Sequence, residues 1–383
     1  MKEIIYVVYF SLKMKLRVLQ ENLAKSLSIA SRFTSVKAQL PVLGNILLSA
    51  KKTKLVISST NLETSVSISI GAQIKEEGDL TISSRVITDV VTNLSSGTLD
   101  LESEKEHLKI KTQNFSSKIS GMNASDFPSV PQVINKSESL FLPKNEFVEA
   151  LSRVIFSASV DETRPTLTGV LFLFQKGLLS LVATDGFRLS QKMLPLKEIA
   201  KSQKVIIPKG VLSELSRLGD NEEELLFQLK EKDNQVLFGF PDVVLSSRVL
   251  EGEYPDFEKI IPKSSAIKLR VDKEELLRAI KLSSVFARDS ANIVKLSLGP
   301  DAVKLSAESS QSGSQETLVD AKIEGGTKDF EIAFNYKFLE DVLRALKGEE
   351  VLMGFSNSAS PGVFLDPKDS DYLHLIMPVK IQG

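Results

Sequence analysis

Few side chains in this sequence are of the kind that carry chemistry. The two histidines, His107 and His374, are the groups best able to move a proton near neutral pH. They lie far apart in the chain, and neither has a metal-ligand partner at a useful spacing. Both read as ordinary sheet or surface residues. Asp185, in Thr184-Asp185-Gly186, is a candidate acid–base group. The same tripeptide makes a good tight turn, with Asp capping the backbone and Gly taking positive φ, and that reading is preferred. No Gly-rich phosphate loop, no dinucleotide-binding turn and no paired-histidine zinc motif occurs. Cysteine is absent, which excludes disulfides and thiolate metal sites. That fits a reducing compartment, so a cytoplasmic location is expected. With no catalytic constellation, the chain reads as one that binds something rather than transforms it. No cofactor and no metal are expected.

The chemistry that does recur is cationic. Lys25 and Arg32 stand seven apart, as do Lys337 and Arg344. Arg278, Lys281 and Arg288 fall at helical spacing on a face away from Leu276, Ile280 and Ala287. Lys144, Arg153, Lys209 and Arg217 add basic groups to neighbouring helical segments. On any one helix this is a solvated face. Its return on most of them points to a shared electropositive surface, diluted by Glu149, Glu214 and Asp341. The net charge is −1, so such a surface requires the basic residues to be gathered on one side.

The elements that carry these residues repeat. Leu23 to Leu27, Phe147 to Leu151 and Leu276 to Ile280 share one helical pattern at a spacing of roughly 125 residues. A second set, from Ile87, Leu212 and Leu339, follows at about the same interval. Between the two helices of each unit lies a strand ending in a turn: Thr60-Asn61-Leu62-Glu63, Thr184-Asp185-Gly186-Phe187 and Glu308-Ser309-Ser310-Gln311. The period is too long for a solenoid. It implies three copies of one α+β domain, each with antiparallel sheet and helices on one face. The boundaries read as 14–135, 136–263 and 264–383, with a Pro- and Asp-rich linker from Asp126 to Pro131. In the first unit, 47–49, 55–59 and 65–70 alternate as strands. A helix is expected over 84–94 with Ser84 as its cap, and another starting at Pro208. Residues 1–13 include the apolar run Ile4 to Phe10, which is too short to span a membrane. Met14 looks like a more natural start, so 1–13 read as an extension, a short extra strand being the alternative. The 42% hydrophobic and 25% charged content suits a globular protein with three such cores.

Several motifs, in this order, resemble the bacterial sliding clamp, the beta subunit of DNA polymerase III. They are Leu40-Pro41-Val42-Leu43-Gly44-Asn45, Arg164-Pro165-Thr166-Leu167-Thr168-Gly169, Ala183-Thr184-Asp185-Gly186-Phe187-Arg188-Leu189, Glu251-Gly252-Glu253-Tyr254-Pro255-Asp256-Phe257 and Met377-Pro378-Val379. The resemblance runs from Met14 to about Ile381. It implies a ring-shaped head-to-tail homodimer, with helices lining the hole and antiparallel sheets outside. Duplex DNA would be encircled without regard to sequence. The replicative polymerase, the clamp loader and repair polymerases would dock through short peptide motifs; no membrane partner is implied. Two readings compete: an enzyme using a cleft carboxylate, and a monomeric three-domain adaptor that binds peptides without DNA.

The resemblance also implies sites. A peptide cleft between the second and third units would comprise Leu167, Thr184, Gly186, Arg188, Leu189 and Pro255, with Lys259, Ile260, Ile376, Met377, Pro378 and Val379. Arg188 would serve at its rim. DNA would face Lys25, Arg32, Lys37, Arg153 and Arg164, with Arg217, Arg278, Lys281 and Arg344. Val285 and Phe286 match the apolar pair that packs across the dimer seam. The chain departs from relatives at its tail, where Gln382-Gly383 follow the usual end.

Overall fold

A computed structural model describes residues 13–35, 40–175, 177–196, 202–219, 222–326 and 330–380. The α+β character is plain. Six α-helices, α1 (Gln20–Ala30), α2 (Ser84–Thr92), α3 (Lys144–Ser152), α4 (Lys209–Leu215), α5 (Lys273–Ala287) and α6 (Tyr336–Ala345), are set among antiparallel strands in the described residues. The chain forms two compact units. The first takes residues 1–142 and 217–248, the second 143–216 and 249–383, so the middle repeat contributes to both.

One local device builds every helix. Each follows a strand with no loop between: Lys15–Leu19 runs into α1, Gly78–Ser83 into α2, Leu140–Pro143 into α3, Gln203–Pro208 into α4, Ile267–Asp272 into α5 and Glu331–Asn335 into α6. The last strand residue is also the N-cap, with ψ between 109° and 136°. An N-cap wants extended backbone, and a strand supplies it. This moves two expected boundaries. Ser83, paired with Asn45 in the sheet, is the cap of α2, which ends at Thr92 rather than 94. Pro208, paired with Gly169, caps α4 instead of starting it. Side chains close the caps only in the third repeat, where Asp272 accepts from Glu275 N and Asn335 from Lys337 N.

In each unit the repeats join edge to edge through strand pairing. In the first unit, Thr64–Gly71 pairs with Lys54–Thr60 on one side. On the other it pairs with Val243–Arg248, from Thr64↔Ser247 to Ile68↔Val243. In the second, Arg188–Pro195 pairs with Leu178–Thr184 and with Asp369–Ile376, from Arg188↔Ile376 to Lys192↔Tyr372. Helices cover one face. α5 packs on α6 and on Ala302–Ser309 and Gly313–Gly325. Leu276, Ile280 and Ala287 are buried as their spacing requires, and Arg278, Lys281 and Arg288 are exposed. Phe334, Phe355 and Phe364 pack ring to ring beneath them.

The strand that follows the turn in the third repeat, Gly313–Gly325, is paired differently along its length. Residues 313–320 pair with Ala302–Ser309, and 321–325 with Ile267–Asp272. Among the described residues no strand lies on the other side of 313–320. The last strand of the first repeat, Ser116–Met122, shows the same asymmetry. Residues 116–120 pair with His107–Lys111 and only 121–122 with Gly78–Ser83. These are the counterparts of strands that join repeats elsewhere in the chain, and among the described residues both edges stand open here.

Candidate functional site

The Thr184–Arg188 turn is built by its own side chains. Asp185 Oδ1 accepts from Phe187 N at 2.9 Å and Arg188 N at 3.0 Å, and Gly186 takes φ +93°. Thr184 Oγ1 accepts from Gly186 N at 3.1 Å and donates to Arg188 O at 2.6 Å. Asp185 Oδ2 accepts from Arg188 Nε at 3.0 Å. With both carboxylate oxygens holding the turn, Asp185 is structural. The turn lifts Phe187 out of the surface, 60% exposed. Phe187 O accepts from Met377 N at 2.8 Å, and Val379 N donates to Ala333 O at 2.8 Å, so the tail is pinned on both sides of Pro378.

Below the turn lies an apolar floor. Leu167 and Leu189 are buried in one cluster with Leu171, Tyr254, Phe257 and Leu375, and Ile376 is buried beside them in sequence. Burial pushes the pKa of the Tyr254 hydroxyl up. Above the floor, Ile260 is 47% and Met377 39% exposed, and Pro255 is exposed. Exposed apolar groups over a buried apolar floor are how a peptide groove is made. Lys259 stands at the margin, paired with Asp256 at 2.7 Å. Phe187 belongs with this set. In the sequence, an aromatic in a turn motif carries no site signal of its own.

Arg188 is held by several partners. Nε donates to Asp185, Nη1 to Asp341 Oδ2 at 2.5 Å and Nη2 to Phe156 O at 2.8 Å. Its guanidinium also lies over the Phe338 ring, 4.5 Å from the centroid. All three nitrogens already serve the protein. Arg188 thus braces the turn to α6 with three of its five N–H groups. Nothing in the sequence marks Asp341 as its partner.

The basic residues divide. Lys25, Arg32, Arg217, Arg278, Lys281 and Arg344 are exposed, and Arg344 pairs with Glu340. Arg164 is exposed and pairs with Asp161 at 3.0 Å. Lys37 lies outside the described residues. Arg153 is a correction: it is buried, 2% exposed, with Nη1 2.5 Å from Asp369 Oδ2 and 3.7 Å from Asp366 Oδ2. Lys192 shares Asp369 at 2.6 Å. A guanidinium so enclosed cannot meet a phosphate. Burial works to raise Asp366, but backbone N–H groups of Lys368, Lys347 and Gly348, with Arg153, outweigh it and lower its pKa. Val285 is 54% exposed on α5, and Phe286 is partly buried against the third-repeat core.

His374 is wholly buried in its strand, its Nδ1 2.7 Å from Ser190 Oγ. Burial, with a smaller push from Arg188, lowers it to about 3. Among the described residues no group of side chains is placed to hold a metal ion, and no helix is long and apolar enough to cross a membrane.

Three repeats joined edge to edge by antiparallel strands define the DNA-clamp class of fold. The chain belongs to the DNA polymerase III beta subunit family, matching its N-terminal domain over residues 14–131, its central domain over 141–256 and its C-terminal domain over 258–380. It is 32% identical over 358 residues to the beta sliding clamp of Staphylococcus aureus (strain Mu50 / ATCC 700699), covering 90% of this chain and 94% of that one. The Staphylococcus epidermidis beta sliding clamp is 30% identical, over 96% and 99% of the two chains. Among solved structures, the Bacillus subtilis DNA polymerase sliding clamp superposes with a TM-score of 0.91 at 28% identity, over 96% of this chain and all of that one. The Thermotoga maritima DNA polymerase III beta subunit gives 0.89 at 29% identity, over the same shares.

Proposed function

We infer that this chain is a DNA sliding clamp, a processivity subunit that tethers the polymerase to duplex DNA and catalyses nothing itself. Family membership along the whole chain supports that reading. The observation that carries its assembly is the pair of open edges. Inside the chain, repeats are joined by pairing the strand after the turn with the last strand of the next repeat. Among the described residues, the same two strand types each have one edge without a partner, at 313–320 and 116–120. A second copy supplies the missing partner for each, with the third domain of one chain meeting the first domain of the other. That join is head-to-tail, and two copies close it into a ring. Val285 and Phe286 pack at the seam.

The domains are 14–135, 136–263 and 264–383, and the protein works in the cytoplasm. Lys25, Arg32, Arg164, Arg217, Arg278, Lys281 and Arg344 face the duplex, with Lys37 assigned to the same surface by resemblance. They supply sequence-independent attraction to phosphates, which suits a ring that must move. The groove at Leu167, Thr184, Gly186, Arg188, Leu189, Pro255, Lys259, Ile260 and 376–379 receives short extended peptides from the polymerase, the clamp loader and repair polymerases. The test combines sedimentation with retention on DNA. A dimer at micromolar concentration that stays on closed circles and leaves linear DNA is the expected result. A monomer, or equal loss from both forms, overturns the ring and favours a peptide-binding adaptor.

A further inference from the structure

The frame of the peptide groove has a counterpart wholly inside the first unit. There the turn at 60–64 takes the place of 184–188. Asn61 Oδ1 accepts from Glu63 N at 3.0 Å and Thr64 N at 2.8 Å, as Asp185 does from the equivalent amides. Thr60 Oγ1 accepts from Leu62 N at 3.0 Å, as Thr184 does from Gly186 N. Leu62 takes φ +77° where Gly186 takes +93°. Arg248 N donates to Glu63 O at 2.8 Å, the bond that Met377 N makes to Phe187 O. Phe127-Pro128 precedes this groove as Tyr254-Pro255 precedes the other. A like backbone leaves a like depression. It encloses about 230 Å³, and its lining includes Leu62, Glu63, Pro128, Pro131, Asp233 and Arg248.

The side chains change the chemistry. Glu63 replaces Phe187, Ser65 replaces Leu189 and Arg248 replaces Met377. Leu62, 49% exposed, and the two prolines keep an apolar strip. Glu63, Asp233 and Arg248 are exposed, and none forms an ion pair among the described residues. The two carboxylates outnumber the one guanidinium, so the groove favours cationic side chains beside its apolar strip. We propose that it is a second peptide site, taking an extended segment of alternating apolar and basic residues. Alternation follows from an extended chain, whose neighbouring side chains point to opposite sides.

The full-length protein tests this with a capped, fluorescein-labelled octapeptide of alternating Leu and Lys, one Leu replaced by its photo-crosslinking analogue. Crosslinks mapped by mass spectrometry are expected at 60–65 and 128–131. Glu63→Gln with Asp233→Asn, two surface changes checked by an unchanged melting temperature, raises Kd at least fivefold. A Leu-Glu peptide fails to label these residues. Crosslinks confined to 255–260 and 376–379 would place the peptide in the other groove and overturn the proposal. So would an unchanged Kd in the double variant, or equal binding of a Ser-Lys peptide, which would reduce the effect to charge alone.

Discussion

At the scale of the residue, the charged side chains that matter most are those hidden from solvent. Arg153 looks in the sequence like one more cation on a helix face. Its partners Asp366 and Asp369 lie more than two hundred positions away, and no local pattern reveals them. Arg153→Ala leaves carboxylates short of a counter-charge and should cost on the order of 3 kcal/mol of stability. The slope of log affinity against log salt on DNA should stay the same, because no phosphate contact is lost; a slope shallower by about 0.9 would return Arg153 to the DNA surface. His374 gives a pH prediction. Its pKa is about 3 folded and 6.5 as the ordinary value, so the unfolded chain binds the extra proton between those limits. The stability this neutral ring contributes is present above pH 6.5 and is lost as pH falls toward 3, by up to about 1.4 kcal/mol per pH unit. Denaturant melts of His374→Gln across that window should be flatter than those of the parent. Parallel curves would show that burial does not hold the ring neutral.

At the scale of the element, legibility followed burial. Ile267–Asp272 is buried at every second position, the pattern of a half-buried strand. Lys54–Thr60 is buried at six of its seven positions, including Ser58, Ser59 and Thr60. Those polar residues are satisfied inside, Ser58 by Ser67 and Ser59 by Ala30 O of α1, so the alternation that marked 55–59 is not what buries them. The helices and turns were legible because each copy vouched for the others. Which strands join the repeats was not legible, since that depends on edges meeting across long stretches of chain. The tail is an element in its own right, tied to Phe187 and Ala333 by single backbone bonds. Removing residues 377–383 should weaken binding of a polymerase-derived peptide at least tenfold by fluorescence polarisation while leaving the sedimenting species unchanged. Undiminished affinity would relocate the site. Phe286→Ala should instead shift assembly toward monomer, about tenfold in Kd for each 1.4 kcal/mol of lost packing, and leave peptide affinity per chain intact.

At the scale of the whole molecule, function rests on linkage more than on affinity. With a net charge of −1, the protein cannot hold DNA by bulk attraction. Association with linear duplex should therefore fall steeply between 50 and about 200 mM salt, while protein already loaded on circles persists. A marked preference for one DNA sequence in the same retention assay would contradict a surface that meets only phosphates. The open edges at 116–120 and 313–320 have a different bearing on the life of the free chain. A head-to-tail edge whose rotation failed to close would polymerise without limit into a filament, and bare strand edges invite that pairing. The two segments read Ser-Ser-Lys-Ile-Ser and Gly-Ser-Gln-Glu-Thr-Leu-Val-Asp. Lys118 and Glu316 put a charge in the middle of each, where an uninterrupted apolar strand would be most adhesive. In the ring proposed above, the join is thus made of the kind of polar, charge-bearing strand that keeps an opened copy dispersed until it meets its own partner.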